Sequence, residues 1–467
     1  MIDNKSRYTL SLLAALLLAG CASDAALQRQ ATPLDSARYG VDAAAQAPAS
    51  AQGRWWRALH NPEIDRLVAA AEAGHPSLDA ARARIRQASA ALAATDAQAM
   101  PQLSLGGDVE RTRSSEYGIL PPPLSGHWYT VKSLSLDLGW RLDLWGRLRE
   151  EARAARLQRD ALELEAQATR QWLASALVAQ YLELAGSRAE AAALDAALAA
   201  AGQQQAYAGA LARSGIVSAD SADAARAQRQ ALAAQREQLK AREAAARHAL
   251  AAISTLPQRE IDALKAAQLP DWPLDARALT TAALAKRPDL QAALANVKAS
   301  EHGVEAARLA YYPDVTLGAF AGLSAQHLGD LFKHGALSAG LVPGFTLPVF
   351  DAGALDAQLQ ARSAGRDAAI ASYNQTLLQA VREAADGVSN TEAAQAAERE
   401  VREAHAALEA NARRSQARVR AGLAAPAQAA DATRQSALAL QQLAAARTRT
   451  LQAQAALMRA LAVPEHD

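Results

Sequence analysis

Cysteine is nearly absent: Cys21 is the single one in 467 residues. That excludes a disulfide framework and any cysteine-built metal centre. Aromatic residues are scarce too, at 4% of the chain, although hydrophobic residues make up 51%. Alanine supplies the difference, and it is the best helix former and small enough to let helices approach closely. Charge of one sign is also lacking, since 49 Lys and Arg against 48 Asp and Glu leave a net charge of +1. With no basic surplus to neutralise phosphates, no nucleic-acid partner is expected. The nine histidines fall without metal-ligand spacing, and neither a phosphate-cradling glycine loop nor a nucleophile elbow is present. No catalytic residue, metal or cofactor is therefore expected, and the chain does not read as an enzyme.

The longest apolar run is short. It follows Lys5 and Arg7 and covers Leu10-Ser11-Leu12-Leu13-Ala14-Ala15-Leu16-Leu17-Leu18, well below the roughly 20 residues of a spanning helix. It reads as a signal peptide. The segment closes with Leu18-Ala19-Gly20-Cys21, which resembles a bacterial lipobox, with Cys21 as the residue to be acylated. Ala22 rather than aspartate follows it, which by resemblance to enterobacterial lipoproteins implies the outer membrane. Residues 21–53, with Pro33, Pro48 and Gly53, read as an extended lipidated tether after a signal peptide at 1–20.

The most informative feature is a duplication. His75-Pro76-Ser77-Leu78 and Arg287-Pro288-Asp289-Leu290 lie 212 positions apart, and Pro101, Leu105 and Gly106 meet Pro313, Leu317 and Gly318 at that offset. Further on the offset becomes 207, so that Gly146 faces Gly353, Gly215 faces Gly422 and Pro257 faces Pro464. The first copy spans 54–257 and the second 275–463, with a connecting, equatorial segment at 258–274 and a tail at 464–467.

Each copy carries the same elements. A helix (about 77–99, and 288–310) is stopped by Pro101 or Pro313. Period-two alternation follows, as in Leu134, Leu136, Leu138, Trp140 and Leu142 against Ser135, Asp137, Gly139 and Arg141. Alternation of this kind marks strands whose faces meet different solvents. Strands are expected at about 101–113, 130–143, 313–326 and 336–349. Long unbroken helices then cover about 147–213 and 354–420, each roughly 100 Å long at 1.5 Å per residue. The return helices carry a heptad rhythm: Ala225, Leu232, Leu239, Ala246 and Ile253, then Ala432, Ala439, Ala446, Ala453 and Ala460. Four strands cannot close a membrane barrel, for which about eight is the minimum. Tyr117, Trp128, Tyr129, Trp140, Trp145, Tyr311, Tyr312, Phe345 and Phe350 cluster near the strands, as aromatic girdles do at bilayer interfaces.

These residues resemble the TolC/OprM-type outer membrane efflux proteins, specifically the RND-associated lipoprotein (NodT-like) branch. The likeness rests on Trp55-Trp56 with Asn61-Pro62-Glu63-Ile64-Asp65, on Trp140-Arg141-Leu142-Asp143-Leu144-Trp145-Gly146-Arg147, on Tyr311-Tyr312-Pro313, and on Pro348-Val349-Phe350-Asp351-Ala352-Gly353. It implies a mainly α fold with a small β part, in which a long α-helical coiled-coil barrel continues a transmembrane β-barrel. It further implies a homotrimer with four strands per chain and twelve in the barrel. The resemblance also implies passive small-molecule export, energised by an inner-membrane RND-type pump through a periplasmic adaptor (membrane fusion) protein, with outer membrane lipid around the barrel. The tips at Gly215, Ile216, Gly422 and Leu423 would meet the adaptor, and the turns at 114–129 and 328–335 would face outside.

Asp431 matches an acidic gate position of that family, while Gln428 stands where an earlier acid is usual. Ser221 and Ala424 replace the usual latch pair, leaving Asp220, Asp223 and Arg226 nearby to build another. Threefold symmetry would bring three copies of Asp431 together and raise their pKa. Arg141 takes the place of an acidic residue in the Trp140 motif. The alternatives are a type I protein-secretion channel of the same fold class and a non-pore coiled-coil structural lipoprotein.

Overall fold

The structure is a computed structural model that describes residues 29–41, 53–119, 121–123, 125–266, 268–275 and 281–461. Cys21, the signal peptide, most of the tether and the tail lie outside the described residues. The chain runs α1 (Pro62–Gly74), α2 (Pro76–Ala97), β1 (Gln102–Arg113), β2 (Trp128–Leu142), α3 (Arg147–Arg213), α4 (Ala219–Ser254) and α5 (Gln258–Asp262). It continues with α6 (Pro288–Leu309), β3 (Asp314–Ala325), β4 (Leu337–Thr346), α7 (Ala354–Arg420) and α8 (Pro426–Leu461). Pro76 and Pro288 open their helices, where a missing N–H costs nothing.

Packing divides the chain differently from the duplication. Among the described residues, one compact unit takes those up to Pro33 together with those of Ile85–Ala161 and Ala293–Tyr373; the other takes those of Leu34–Arg84, Leu162–Ala292 and from Asn374 on. Each unit draws on both copies, because a strand pair or helix hairpin alone has an apolar face with nothing to cover it.

The first unit holds an antiparallel meander in the order β1-β2-β3-β4. Its register is unbroken. Leu103, Leu138, Ala319 and Leu341 lie in one row, and Leu105, Leu136, Ala321 and Ala339 in the next on the same face. β2 starts at Trp128 rather than near 130 because its ladder continues to Arg113. β4 ends at Thr346 rather than near 349, just before Pro348, which has no N–H to donate. Val304, Ala307 and Leu359, with Tyr311 against them, form a small core beside the sheet.

The second unit is helical. Ala191, Leu194, Ala197 and Ala201 of α3 pack with Leu232 and Leu239 of α4 and Ala437 of α8. The heptad positions Leu232, Leu239 and Ala246 are buried, as are Ala432, Ala439, Ala446 and Ala460. Small residues set the spacing: a Cβ added at Gly186 would sit 2.9 Å from the Thr448 Cβ. Trp55 stacks on Trp272, with centroids 5.8 Å apart and planes 9° apart, and meets Trp56 edge-on. Tyr181 donates to Glu63 at 2.7 Å and accepts from Asn61 at 2.9 Å. Burial and the Glu63 hydrogen bond push the Tyr181 phenol far above its ordinary value. Burial pushes Glu63 up, but hydrogen bonds from Tyr181 and the Lys265 and Ala266 amides outweigh it and hold the carboxyl below its usual value. Arg287 of the second-copy motif is nearly buried and binds Asp289, Glu383 and the Ala460 carbonyl.

Candidate channel elements

The sheet has two chemically distinct faces. Leu103, Leu105, Leu134, Leu136, Leu138, Trp140, Leu317, Leu323 and Leu341 share one of them. These side chains are not packed away: Leu105 is 71% exposed and Leu341 66%. The other face carries Ser104, Asp137, Ser135, Asp108, Ser133, Ser324 and Thr316. Ser135 donates to Asp137 at 2.6 Å, and Ser133 donates to Asp108. From Leu142 to Lys132 the face extends ten residues, about 34 Å along the strand. At a tilt near 40° that is a height of roughly 26 Å, which matches the apolar band of an outer-membrane barrel.

Both outer edges are open, for β1 bonds only to β2, and β4 only to β3, among the described residues. Edge N–H and C=O groups left facing lipid cost on the order of several kcal/mol each. No described helix is long and apolar enough to cross a membrane.

The strand-to-helix junctions use the residues of the family motif. Asp143 accepts from the Leu148 and Arg149 amides, both at 3.1 Å, and so caps α3 from outside its first turn. Asp351 does the same for α7, accepting from Leu355 at 2.7 Å and Gly353 at 3.0 Å. Those hydrogen bonds hold the Asp351 carboxyl below its ordinary value. Gly146 and Gly353 turn the chain at φ of 91° and 86°, a region that suits glycine. Trp145 of the first copy lies on Tyr312 of the second, centroids 5.2 Å apart, and donates to the Pro313 carbonyl at 2.8 Å. The two motif halves, 168 residues apart, thus meet. Arg141, the departure from the family pattern, pairs with Asp314 at 3.4 Å, and Arg147 approaches the same carboxylate at 3.6 Å.

The hairpin tips are twins. The Ile216 amide donates to Leu211 O at 2.9 Å and Gly215 to Ala212 O at 3.1 Å; Leu423 donates to Arg418 O at 2.8 Å and Gly422 to Val419 O at 3.0 Å. Both are Schellman endings with glycine at φ 73°. Each leaves a large apolar side chain in water, Ile216 at 69% and Leu423 at 78% exposure.

The expected gate residues sit on different helices, and the ion pairs they make are local to each helix. Arg226 pairs with Asp223 at 3.3 Å, one turn away on α4, rather than with the second copy, and both are mostly exposed. Asp220, in the first turn of α4, and Gln428 are exposed. Asp431 accepts from Gln204 of α3 at 3.0 Å and from Gln435 at 2.7 Å, and pairs with Arg434 at 2.5 Å. Burial pushes its carboxyl up, but hydrogen bonds from Arg434 and Gln204 and the Arg434 charge outweigh that and hold it below its ordinary value. Within one chain, then, its shift runs opposite to the rise expected of a crowded carboxylate. Arg434 and Gln204 were missed in the sequence: Arg434 lies one turn along the same helix, a legible spacing, whereas Gln204 comes from a helix of the other hairpin, which no spacing announces. Phe320 was also missed. It occupies a polar-face position, opposite Asp137, with its ring over Gly340, and an aromatic out of phase with the alternation was the available signal.

A two-faced sheet with open edges, carried on helices, is the architecture of a pore subunit. Residues 67–256 and 279–463 match the family described as outer membrane efflux protein, and the chain belongs to that family. The multidrug resistance outer membrane protein MdtQ of Escherichia coli O6:H1 is 32% identical over 408 residues, 81% of either chain. The outer membrane protein VceC of Vibrio cholerae superposes with a TM-score of 0.79 at 26% identity, covering 90% of this chain and 100% of that one. The outer-membrane channel OprN gives 0.77 at 25% identity, covering 93% and 97%. The protein is an outer membrane efflux channel and not an enzyme.

Proposed function

We propose that three copies of this chain close a twelve-stranded barrel and form the outer membrane channel of a tripartite system that exports small toxic molecules or drugs. The observation that carries it is the four-stranded meander with an apolar outer face and both edges unpaired. Cyclic assembly satisfies those edges without further sequence, and three copies give twelve strands, an even number within the range of such barrels. The name of the MdtQ relative supports drugs as cargo. An RND-type pump and a periplasmic adaptor supply energy and continuity, with the adaptor seated on the tips at Gly215, Ile216, Gly422 and Leu423. Asp431, aided by Gln428, Asp220, Asp223 and Arg226, lines the periplasmic gate.

Cys21 carries the lipid, which places the chain in the lipoprotein branch of the family. The two matched segments support copies at 54–257 and 275–463 joined by 258–274. The test is purification of the full chain from membranes, followed by native mass spectrometry and planar-bilayer recording. A lipidated trimer with uniform large steps is expected; a non-conducting monomer overturns the reading. Cys21→Ala is expected to lose the lipid mass, and an unchanged mass refutes the anchor.

A further inference from the structure

The apolar face of the sheet changes character at its loop end. Continuing by twos from Leu103 and Leu105 through Val109 brings Arg111 and Arg113 onto that same face. Across the ladder Val109 faces Lys132, Arg111 faces Thr130 and Arg113 faces Trp128. The Arg111 guanidinium carbon lies 5.7 Å from the centre of the Trp128 ring, so the two side chains stand on one side of the sheet. Three cations and an indole therefore crown the leucine band, while Asp108 and Glu110 alternate to the opposite face.

Among the described residues, the contacts of these cations are mostly with neutral groups. Lys132 donates to the Gln326 carbonyl at 2.8 Å and Arg113 to the Gly126 carbonyl at 3.0 Å. The carboxylate paired with Arg113 is Glu116, 3.7 Å away in the turn, with both side chains more than half exposed. Arg111 lies over the Trp128 ring. A cation on the lipid side of a barrel is costly at mid-membrane and nearly free at the interface. Lys132 stands roughly 26 Å above Leu142 by the strand rise and tilt, which is headgroup height. Guanidinium groups bind phosphate in bidentate fashion, and an indole beside them is at home in the same layer.

We propose that Arg111, Arg113 and Lys132 form a rim that binds the phosphate groups of the phosphorylated glycolipid of the outer leaflet. The proposal rests on the reading that the apolar face meets lipid. It predicts lipid specificity in the channel and a fixed height in the membrane, both set by the loop end of β1 and β2. Trp128 positions Arg111, and the turn carbonyls of Gly126 and Gln326 orient Arg113 and Lys132.

The experiment uses the full chain in detergent, titrated with lipid A and read by native mass spectrometry and by the thermal midpoint of the assembly. Each cation is expected to contribute about fivefold, so R111Q/R113Q/K132Q should bind lipid A on the order of a hundredfold more weakly and lose the thermal gain. The single variant R111Q, which keeps the other two cations, should lose about fivefold. Equal binding by wild type and triple variant overturns the proposal. So does an equal effect from phosphatidylglycerol, which means generic anionic lipid, or from inorganic phosphate alone, which means a free-ion site. Bilayer recordings on the same preparations separate the premises. If the wild type conducts but lipid A binding is unaltered in the variants, the rim is wrong. If the wild type does not conduct, the barrel reading fails.

Discussion

Replacing Asp143 by alanine removes three contacts at once: the Leu148 amide, the Arg149 amide, and the Arg149 side chain at 3.2 Å. A lost N-terminal cap costs about 0.5–2 kcal/mol, and the second amide adds roughly 1 kcal/mol as a lost hydrogen bond. The ion pair adds little, since the Arg149 side chain is 63% exposed and such pairs contribute about 0–1 kcal/mol. The total is on the order of 2–3 kcal/mol per chain by these values. An asparagine side chain offers one acceptor oxygen in place of two, so Asp143→Asn should lose about half of that. Unfolding of a membrane assembly is governed by rate, so the assay is the loss of helical circular dichroism over time at one fixed temperature. The expected order of half-lives is wild type, then Asp143→Asn, then Asp143→Ala. Asp351→Ala should do less harm, because its carboxylate stands in water. An Asp143→Ala half-life equal to wild type, or one longer than that of Asp143→Asn, refutes the capping argument.

Gly186→Ala puts a Cβ 2.7 Å from Thr448 Cγ2 and 2.9 Å from its Cβ. Overpacking of about 1–3 kcal/mol outweighs the roughly 1 kcal/mol gained in helix propensity, so thermal stability should fall, and Thr448→Ala in the same chain should restore part of it. Gly340→Ala places a Cβ 2.6 Å from the Phe320 ring and should drive that ring off the wall; single-channel conductance should drop, whereas Phe320→Ala should leave it unchanged or higher. Asp431 has a lowered pKa in the fold, so its stabilising effect is complete above its unfolded value and is lost as pH falls through the lower folded one. The melting difference between wild type and Asp431→Asn should shrink on acidification through that window; a difference that grows there contradicts the pairing with Arg434.

The repeat was legible because glycine and proline punctuate it. Gly215 and Gly422 both prove to be left-handed helix ends, a role few other residues fill. Strand identity was legible because alternation depends only on period two. What stayed hidden were contacts between elements far apart in the chain. Trp145 on Tyr312 joins the two copies through a motif whose halves look independent in one dimension. The gate charges resemble family positions; Asp223 for Arg226 and Arg434 for Asp431 are partners three residues away on one helix, and only Gln204 for Asp431 depends on how the hairpins pack.

By itself the sequence determined the long alanine-rich helices, the four strands and the duplication, because propensity, periodicity and turn chemistry act over neighbouring residues. Register was decided by tertiary structure. Only the ladder from Gln102–Gly139 to Arg113–Trp128 puts the leucines of β1 and β2 on one common face and brings Arg111 and Arg113 beside Lys132 and Trp128. A slip of one residue would turn the leucines and cations of one strand to the opposite face from those of its neighbour.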